Sequence, residues 1–316
     1  MTVTGPPEGV PVIEVRGLTK RFGGITAVDE LTFTVRPGVV TGFAGPNGAG
    51  KTTTMRMILG LAAPSGGTVS VNGRRYAGSP APMREVGALL DARAVHGGRR
   101  AFDHLLCLAQ SNGIPRRRVD EVLGLVGLAA ASRRRVGTFS LGMAQRLGIA
   151  AALLGDPGVL VFDEPVNGLD PEGITWIRGL MRGLAGEGRA VLVSSHLLTE
   201  MALTADHLIV LGRGRLVADA SVEELTRSRA PRTVRVRTPR SEELARRLAA
   251  TGATVRPEND GVLIVGGMDA AEIGTLAAAH EVPLYELTPR QASLETLFME
   301  LTRDSAEYVT AEGTAP

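Results

Sequence analysis

The chain has 316 residues, 44% of them hydrophobic and only 3% aromatic, with a formal net charge of +2. That length accommodates one large domain and a small one. Near-neutral charge carries no global nucleic-acid signature, and so few aromatics disfavour a stacking platform for single strands.

Residues 1–11, rich in Pro, Gly and Thr, read as a loose arm. They lack a charged start followed by an apolar core, so no secretory signal is expected. Residues 12–15, 31–35 and 68–71 read as strands, the last ending at an Asn72-Gly73 turn signal. They predict a small antiparallel layer. Residues 39–43 read as a further strand and residues 53–61 as a helix.

Between that strand and helix lies Gly45-Pro46-Asn47-Gly48-Ala49-Gly50-Lys51-Thr52-Thr53, which fits G-x-x-x-x-G-K-[ST]. Glycines let the backbone close on an anion without a Cβ in the way, and the following helix points its N-terminus at it. Lys51 is expected to reach the β/γ-phosphates of a nucleotide and the Thr52 hydroxyl to ligate Mg²⁺. Lys20 and Lys51 are the only lysines in the chain; every other basic residue is arginine. A lone ammonium is thus kept where a compact point charge suits phosphate chemistry.

From residue 84 to 137 the chain reads as mostly helical and carries ten arginines against five acids, a local excess of +5. The pattern suits a solvated helical face, or a surface facing an anionic membrane or an acidic partner. Cys107, the one cysteine, excludes an internal disulfide, suits a reducing compartment and reads as a small buried hydrophobe. The apolar stretches at residues 147–154 and 159–162 fall well short of the roughly 20 residues of a spanning helix. A soluble chain is expected.

Residues 159–162 and 190–193 are continuous apolar runs, the mark of a parallel sheet covered on both faces. The first delivers Asp163 and Glu164 to the sheet's carboxyl edge. Asp163 is suited to help hold Mg²⁺, and Glu164 to orient or deprotonate an attacking water. After residues 228–231 the character changes. Strand 232–237, helix 241–250, strands 254–256 and 262–265, helix 270–279 and strand 283–286 give β-α-β-β-α-β, a ferredoxin-like order. A last amphipathic helix is expected over 291–301, with Leu294, Leu297, Phe298 and Leu301 on one stripe.

With these motifs in order over residues 13–225, the chain resembles the ATP-binding subunit of ABC transporters. Phe139-Ser140-Leu141-Gly142-Met143-Ala144-Gln145-Arg146 resembles the family's signature, Asn167-Gly168-Leu169-Asp170 its D-loop, and Ser194-Ser195-His196 its switch. The resemblance implies an α/β P-loop NTPase fold with antiparallel β and helical subdomains, plus the small α+β domain. It implies an ATPase domain over 12–229, with its helical subdomain in 84–137. The accessory domain would then span 230–302 and a tail 303–316.

By the same resemblance, Gly45, Asn47, Gly48, Ala49, Gly50, Lys51, Thr52 and Thr53 contact nucleotide, and Phe22 stacks on adenine. Ser140, Gly142 and Asp170 face ATP across a homodimer, and Glu164 and His196 are catalytic. Thr52 and Asp163 take Mg²⁺, and Asp91 stands where the family places a glutamine that also ligates. Taken singly, Phe22 reads as a core residue rather than a cofactor contact. Leu141 and Met143 depart from the family's glycine and glutamine.

The Ser-Leu-Gly-Met signature, Ser-Ser-His-Leu-Leu and Ser293-Leu294-Glu295-Thr296-Leu297-Phe298 resemble one branch, the ATPases of daunorubicin and bacitracin self-resistance exporters. The implied function is an ATP-hydrolysing motor on the inner face of the cell membrane. It would work with a separate membrane permease and without nucleic acid. A non-transport ATPase of the same superfamily, or a non-hydrolysing nucleotide-dependent regulator, is the alternative. Such non-transport proteins usually carry a coiled-coil insertion or two cassettes, which this chain lacks, and intact Glu164 and His196 disfavour the regulator.

Overall fold

Apolar runs without alternation build the centre of the larger unit. In this computed structural model, which describes residues 12–197, 201–228 and 233–290, strands β3 (Val40–Ala44), β6 (Val159–Phe162) and β7 (Ala190–Ser195) are buried at every position. Strands buried on both faces belong inside a parallel sheet. They are joined by β5 (Val86–Leu89), β8 (His207–Gly212) and β9 (Arg215–Ser221) in a six-stranded sheet of order β5-β6-β7-β3-β8-β9. All neighbours pair parallel except β8 with β9.

The small layer expected from the sequence is present and larger than expected. Strands β1 (Ile13–Phe22) and β2 (Ile25–Val35) form a long hairpin, and β4 (Gly66–Val71) pairs with the other edge of β1. The turn is Gly23-Gly24, with Gly23 at φ +56°. The inward residues Ile13, Val15, Leu18, Leu31 and Phe33 share one core with Phe43, Val161, Leu192 and Ile209 of the large sheet. Phe33 and Phe43 meet at a centroid separation of 5.3 Å, within the favourable range for tilted rings.

Helix α1 (Lys51–Ile58) follows β3 and inserts Met55, Met57 and Ile58 into the same core. It begins at Lys51 and ends before Gly60, which sits at φ +67°; the helix is shorter than the sequence suggests because this left-handed residue terminates it. The helical region also needs correction. A short helix α2 (Pro82–Glu85) leads into β5, which pairs Val86 with Val159 and Leu89 with Phe162. Residues 86–89 are therefore sheet edge rather than helix, because a short apolar run beside a parallel strand completes that strand's hydrogen bonds. The helices proper are α3 (Ala101–Ser111) and α4 (Arg117–Leu125), followed by α5 (Leu141–Leu153) and α6 (Pro171–Gly186). Cys107 is exposed on α3, not buried: Ala101, Leu105 and Ala109 hold the inward stripe.

The chain passes to a second compact unit between Val222 and Glu223. Its strands are β10 (Thr233–Arg237), β11 (Thr254–Pro257), β12 (Val262–Gly266) and β13 (Glu286–Arg290), with helices Ser241–Ala250 and Ala270–Ala279 between them. The antiparallel sheet has the order β11-β12-β10-β13. The last strand starts at Glu286, later than the sequence suggests, because its partner β10 ends at Arg237, directly opposite. Val234, Val236, Leu244, Leu248, Leu263, Val265 and Ile273 form this unit's own core. The arm before residue 12, the helix expected over 291–301 and the tail lie outside the described residues.

Gly87 shows how closely the sheet edge packs. A Cβ there would lie 2.0 Å from the Ala152 carbonyl oxygen and 2.9 Å from Pro157, whereas one at Gly124 on α4 meets nothing within 4 Å. Gly87→Ala is therefore expected to destabilise the large unit by about 1–3 kcal/mol. Gly124→Ala should stabilise it by up to about 1 kcal/mol, since alanine favours helix. Denaturant midpoints of the two variants check both signs.

Candidate nucleotide site

Parallel strands end on one edge, so the segments leaving β3, β6 and β7 at their carboxyl ends converge there, the usual ligand edge of an open α/β sheet. The Gly45–Thr52 loop leaves β3 and runs straight into α1. Its closure depends on backbone approaches that side chains forbid. Gly50 is at φ +96°, and a Cβ on it would lie 2.6 Å from the Ala27 carbonyl oxygen. A Cβ on Gly45 would lie 2.7 Å from the Leu211 carbonyl oxygen. Gly48, at φ +81°, completes the turn beside exposed Asn47. Ala49 donates to the Pro46 carbonyl at 3.1 Å, and its own carbonyl accepts from Gly214 at 3.2 Å.

Lys51 is 6% exposed. Its Nζ donates to the Gly45 carbonyl at 2.6 Å and to that of Pro46 at 3.3 Å, and lies 3.7 Å from Glu164 Oε1. Burial pushes the Lys51 pKa below its ordinary value, while Glu164 and Asp163 oppose the shift. Thr52 donates to Asp163 Oδ2 at 2.6 Å. Asp163 is nearly buried, and its other oxygen accepts from the Ser194 hydroxyl. Ser194 Oγ in turn accepts from the Glu164 backbone N–H at 2.9 Å. Glu164 Oε2 stands 2.8 Å from His196 Nδ1. Lys51, Thr52, Asp163, Glu164 and His196 thus form one connected group across three strand ends.

Thr52 and Asp163 present adjacent oxygen donors, the chemistry that a hard divalent cation takes. Among the described residues no group of three or more His, Cys, Asp and Glu side chains is arranged to hold a metal ion by itself. The pair therefore fits a cation that completes its shell with water and phosphate, as Mg²⁺ does. Asp91 follows β5 and is exposed; its Oδ1 accepts from the Arg93 N–H at 2.8 Å, and no described hydrogen bond links it to Thr52 or Asp163. Thr53 is half-buried on the first turn of α1. Phe22 is 55% exposed at the hairpin end, with Lys20 Nζ 5.0 Å from its ring centroid. A ring that open to water is no core residue.

Ser140 caps α5 by accepting from the Met143 N–H at 3.2 Å, and Asp170 caps α6 by accepting from the Gly173 N–H at 2.8 Å. The two motifs pack on each other. A Cβ at Gly142 would lie 3.3 Å from the Gly168 carbonyl, and one at Gly168 would lie 2.1 Å from Leu141 Cδ2. Leu141, where the resembled family carries glycine, covers the loop that leads to Asp170. No described hydrogen bond joins Ser140, Gly142 or Asp170 to the Gly45–Thr52 loop. Two residues that the sequence places in the switch and signature motifs without a role of their own also contribute: Ser194, and Gln145, whose Nε2 donates to the Glu164 carbonyl at 3.1 Å. Motif membership was the signal for both; their contacts with Glu164 were not legible.

Comparison with known proteins converges on one family. A family model described as ABC transporter matches residues 28–167, and another, described as a domain of unknown function (DUF8746), matches residues 232–295. The bacitracin transport ATP-binding protein BcrA of Bacillus licheniformis is 40% identical over 217 residues, covering 68% of this chain and 71% of BcrA. The daunorubicin/doxorubicin resistance ATP-binding protein DrrA of Streptomyces peucetius is 33% identical over 318 residues, covering 96% of each. A solved ATP-binding subunit of an ABC transporter superimposes with a TM-score of 0.63 at 28% identity, covering 68% of this chain and 92% of that one.

The desolvated lysine makes stability and binding separable. Lys51→Met keeps the stem and removes a charge that burial disfavours, so the denaturant midpoint should stay level or rise. Affinity for a fluorescent ATP analogue should fall by about 2–5 kcal/mol, because the phosphates lose their buried cation. Parallel denaturation and titration check the opposite signs.

Proposed function

The chain belongs to the ABC transporter family, as an ATP-binding protein, and from that membership we propose that it is the motor subunit of an exporter of a drug, antibiotic or other hydrophobic compound. The observation that carries the hydrolytic part is the connected group Lys51–Glu164–His196 and Thr52–Asp163–Ser194 at one sheet edge.

In this reading the Gly45–Thr53 backbone wraps the phosphates, and Lys51 exchanges the loop carbonyls for β/γ-phosphate oxygens. Glu164 holds the attacking water and takes its proton as the water oxygen bonds to the γ-phosphorus. The bond from phosphorus to the bridging oxygen breaks, and ADP and phosphate leave. His196 fixes the Glu164 carboxylate through Nδ1 and stands beside the γ-phosphate. Mg²⁺, held by Thr52 and Asp163, supplies neutralisation of the phosphate charge; Asp91 is a further ligand in the same reading. Phe22 stacks on the adenine.

Ser140, Gly142 and Asp170 are assigned to a second copy's nucleotide, so that two chains enclose two ATP molecules. Their separation from the Gly45–Thr52 loop in the described hydrogen bonds supports that assignment, as does the anion-binding tendency of the α5 N-terminus. No described helix is long and apolar enough to cross a membrane, so passage of the compound is assigned to a separate permease, which would hold this subunit at the membrane's inner face. Segments around Arg100 and Arg135 pair antiparallel, so exposed Arg99, Arg100, Arg133, Arg134 and Arg135 lie on two adjacent segments between β5 and the signature in the chain. Their surface is assigned to the permease.

Glu164→Gln keeps the shape of the side chain and loses its basicity. Turnover should fall about 10²–10⁴-fold with ATP binding retained, and the variant should run as a dimer in size-exclusion chromatography with ATP. A variant that stays monomeric and turns over normally contradicts both assignments. Arg99→Glu with Arg100→Glu should weaken recruitment to permease-containing membranes by roughly tenfold or more while leaving the ATPase rate of the isolated subunit unchanged. Co-sedimentation with those membranes is the check.

A further inference from the structure

Glu164 is one of the few non-glycine residues whose backbone is held in the left-handed region, and it is the one in the site. It lies at φ +49°, a left-handed setting that a long side chain seldom adopts and that persists only where its surroundings over-determine it. Two side chains outside the catalytic set supply that determination. Ser194, fully buried on β7, accepts from the Glu164 N–H at 2.9 Å. Gln145, 5% exposed on α5, donates through Nε2 to the Glu164 carbonyl at 3.1 Å and to the Asn167 carbonyl at 3.4 Å.

We propose that Ser194 and Gln145 are positioning residues for ATP hydrolysis, holding the Glu164 peptide from its two sides so that the carboxylate meets the attacking water. The inference rests on the hydrolytic reading above. Each side chain is used to the limit of its chemistry. A hydroxyl has one proton to give and lone pairs to receive; Ser194 gives to Asp163 and receives from Glu164. It thereby ties the cation-binding carboxylate and the catalytic residue to one atom. It also stands two positions before His196, so β7 sets both the peptide of Glu164 and the imidazole against its side chain.

A primary amide has two N–H bonds, and Gln145 directs them to two carbonyls. Its Oε1 is buried without a partner. A residue kept for packing alone would not carry an unmatched buried oxygen, which costs stability. Exchanging the amide's ends would set that oxygen against the Glu164 carbonyl, so the acceptors fix the orientation. Release of either grip frees the peptide to rotate, and the carboxylate moves away from His196 Nδ1 and from Lys51. Gln145 touches neither the Gly45–Thr52 loop nor Asp163 in its described hydrogen bonds, so its release leaves the nucleotide's contacts in place, whereas release of Ser194 also frees one oxygen of Asp163.

The test measures steady-state ATPase activity of the full chain with Mg²⁺ and ATP, alongside binding of trinitrophenyl-ATP. Ser194→Ala and Gln145→Met should each lower kcat about 10–100-fold, the scale of a small misplacement at a reacting centre. In Gln145→Met, KM and trinitrophenyl-ATP affinity should stay within about twofold, as should trinitrophenyl-ATP affinity measured without Mg²⁺ in Ser194→Ala. Ser194→Thr, which keeps the hydroxyl, should recover most of the rate, separating the hydrogen bond from packing. Variants that turn over like the native chain, or that lose rate wholly through KM, overturn the inference while leaving the hydrolytic reading intact. A native chain that hydrolyses no ATP overturns that reading and this inference with it.

Discussion

The Asp163 carboxylate between the hydroxyls of Thr52 and Ser194 is the contact on which the site depends. A nearly buried carboxylate is costly unless its oxygens are met by donors. Here one oxygen is met from α1 and the other from β7, so a single side chain just past β6 ties three elements together. The sheet order sets β7 directly beside β6, which puts the Ser194 hydroxyl next to the Asp163 carboxylate.

Around that contact the chain departs from local preference in a concentrated way. Lys51 is a buried cation whose nearest oxygens are the carbonyls of its own loop. Glu164 holds a left-handed backbone without being glycine. Gly45 and Gly50 admit carbonyls of neighbouring segments where any Cβ would collide. Each departure costs free energy, and the shared core beneath, from Ile13 through Phe43 to Ile209, offsets it. A shell of fully buried strands can hold a site that its own residues would not hold.

The second unit has its own core and a capping box at Asp269 and Glu272 that starts the helix Ala270–Ala279. Its surface carries partly exposed ion pairs, as between Arg247 and Glu243 and between Arg235 and Glu286. Such exposed pairs contribute little to stability, so apolar burial within the unit carries its folding. The larger unit has pairs of the same kind, as between Arg189 and Asp156 or Arg215 and Asp29, but its Arg100–Arg135 backbone bridge brings two arginine-bearing segments side by side, against the repulsion of their like charges.

Much of this was readable from residues alone because it depends on local chemistry. Four apolar residues before Asp163 make a buried strand wherever the chain goes. Gly-x-x-x-x-Gly-Lys-Thr demands a phosphate-sized turn, and the β-α-β-β-α-β alternation after residue 232 needs no tertiary knowledge. The strand Val86–Leu89 was hidden within a helical stretch because its only support is β6, distant in sequence. Phe22 could be core or surface until the long hairpin put it at an exposed end. Cys107 and the start of β13 likewise depended on which face or partner strand the fold supplied. Ser194 and Gln145 are visible as members of their motifs, but their contacts were hidden for the same reason. What the hydroxyl and the amide do is decided by the Glu164 peptide that packing sets between them.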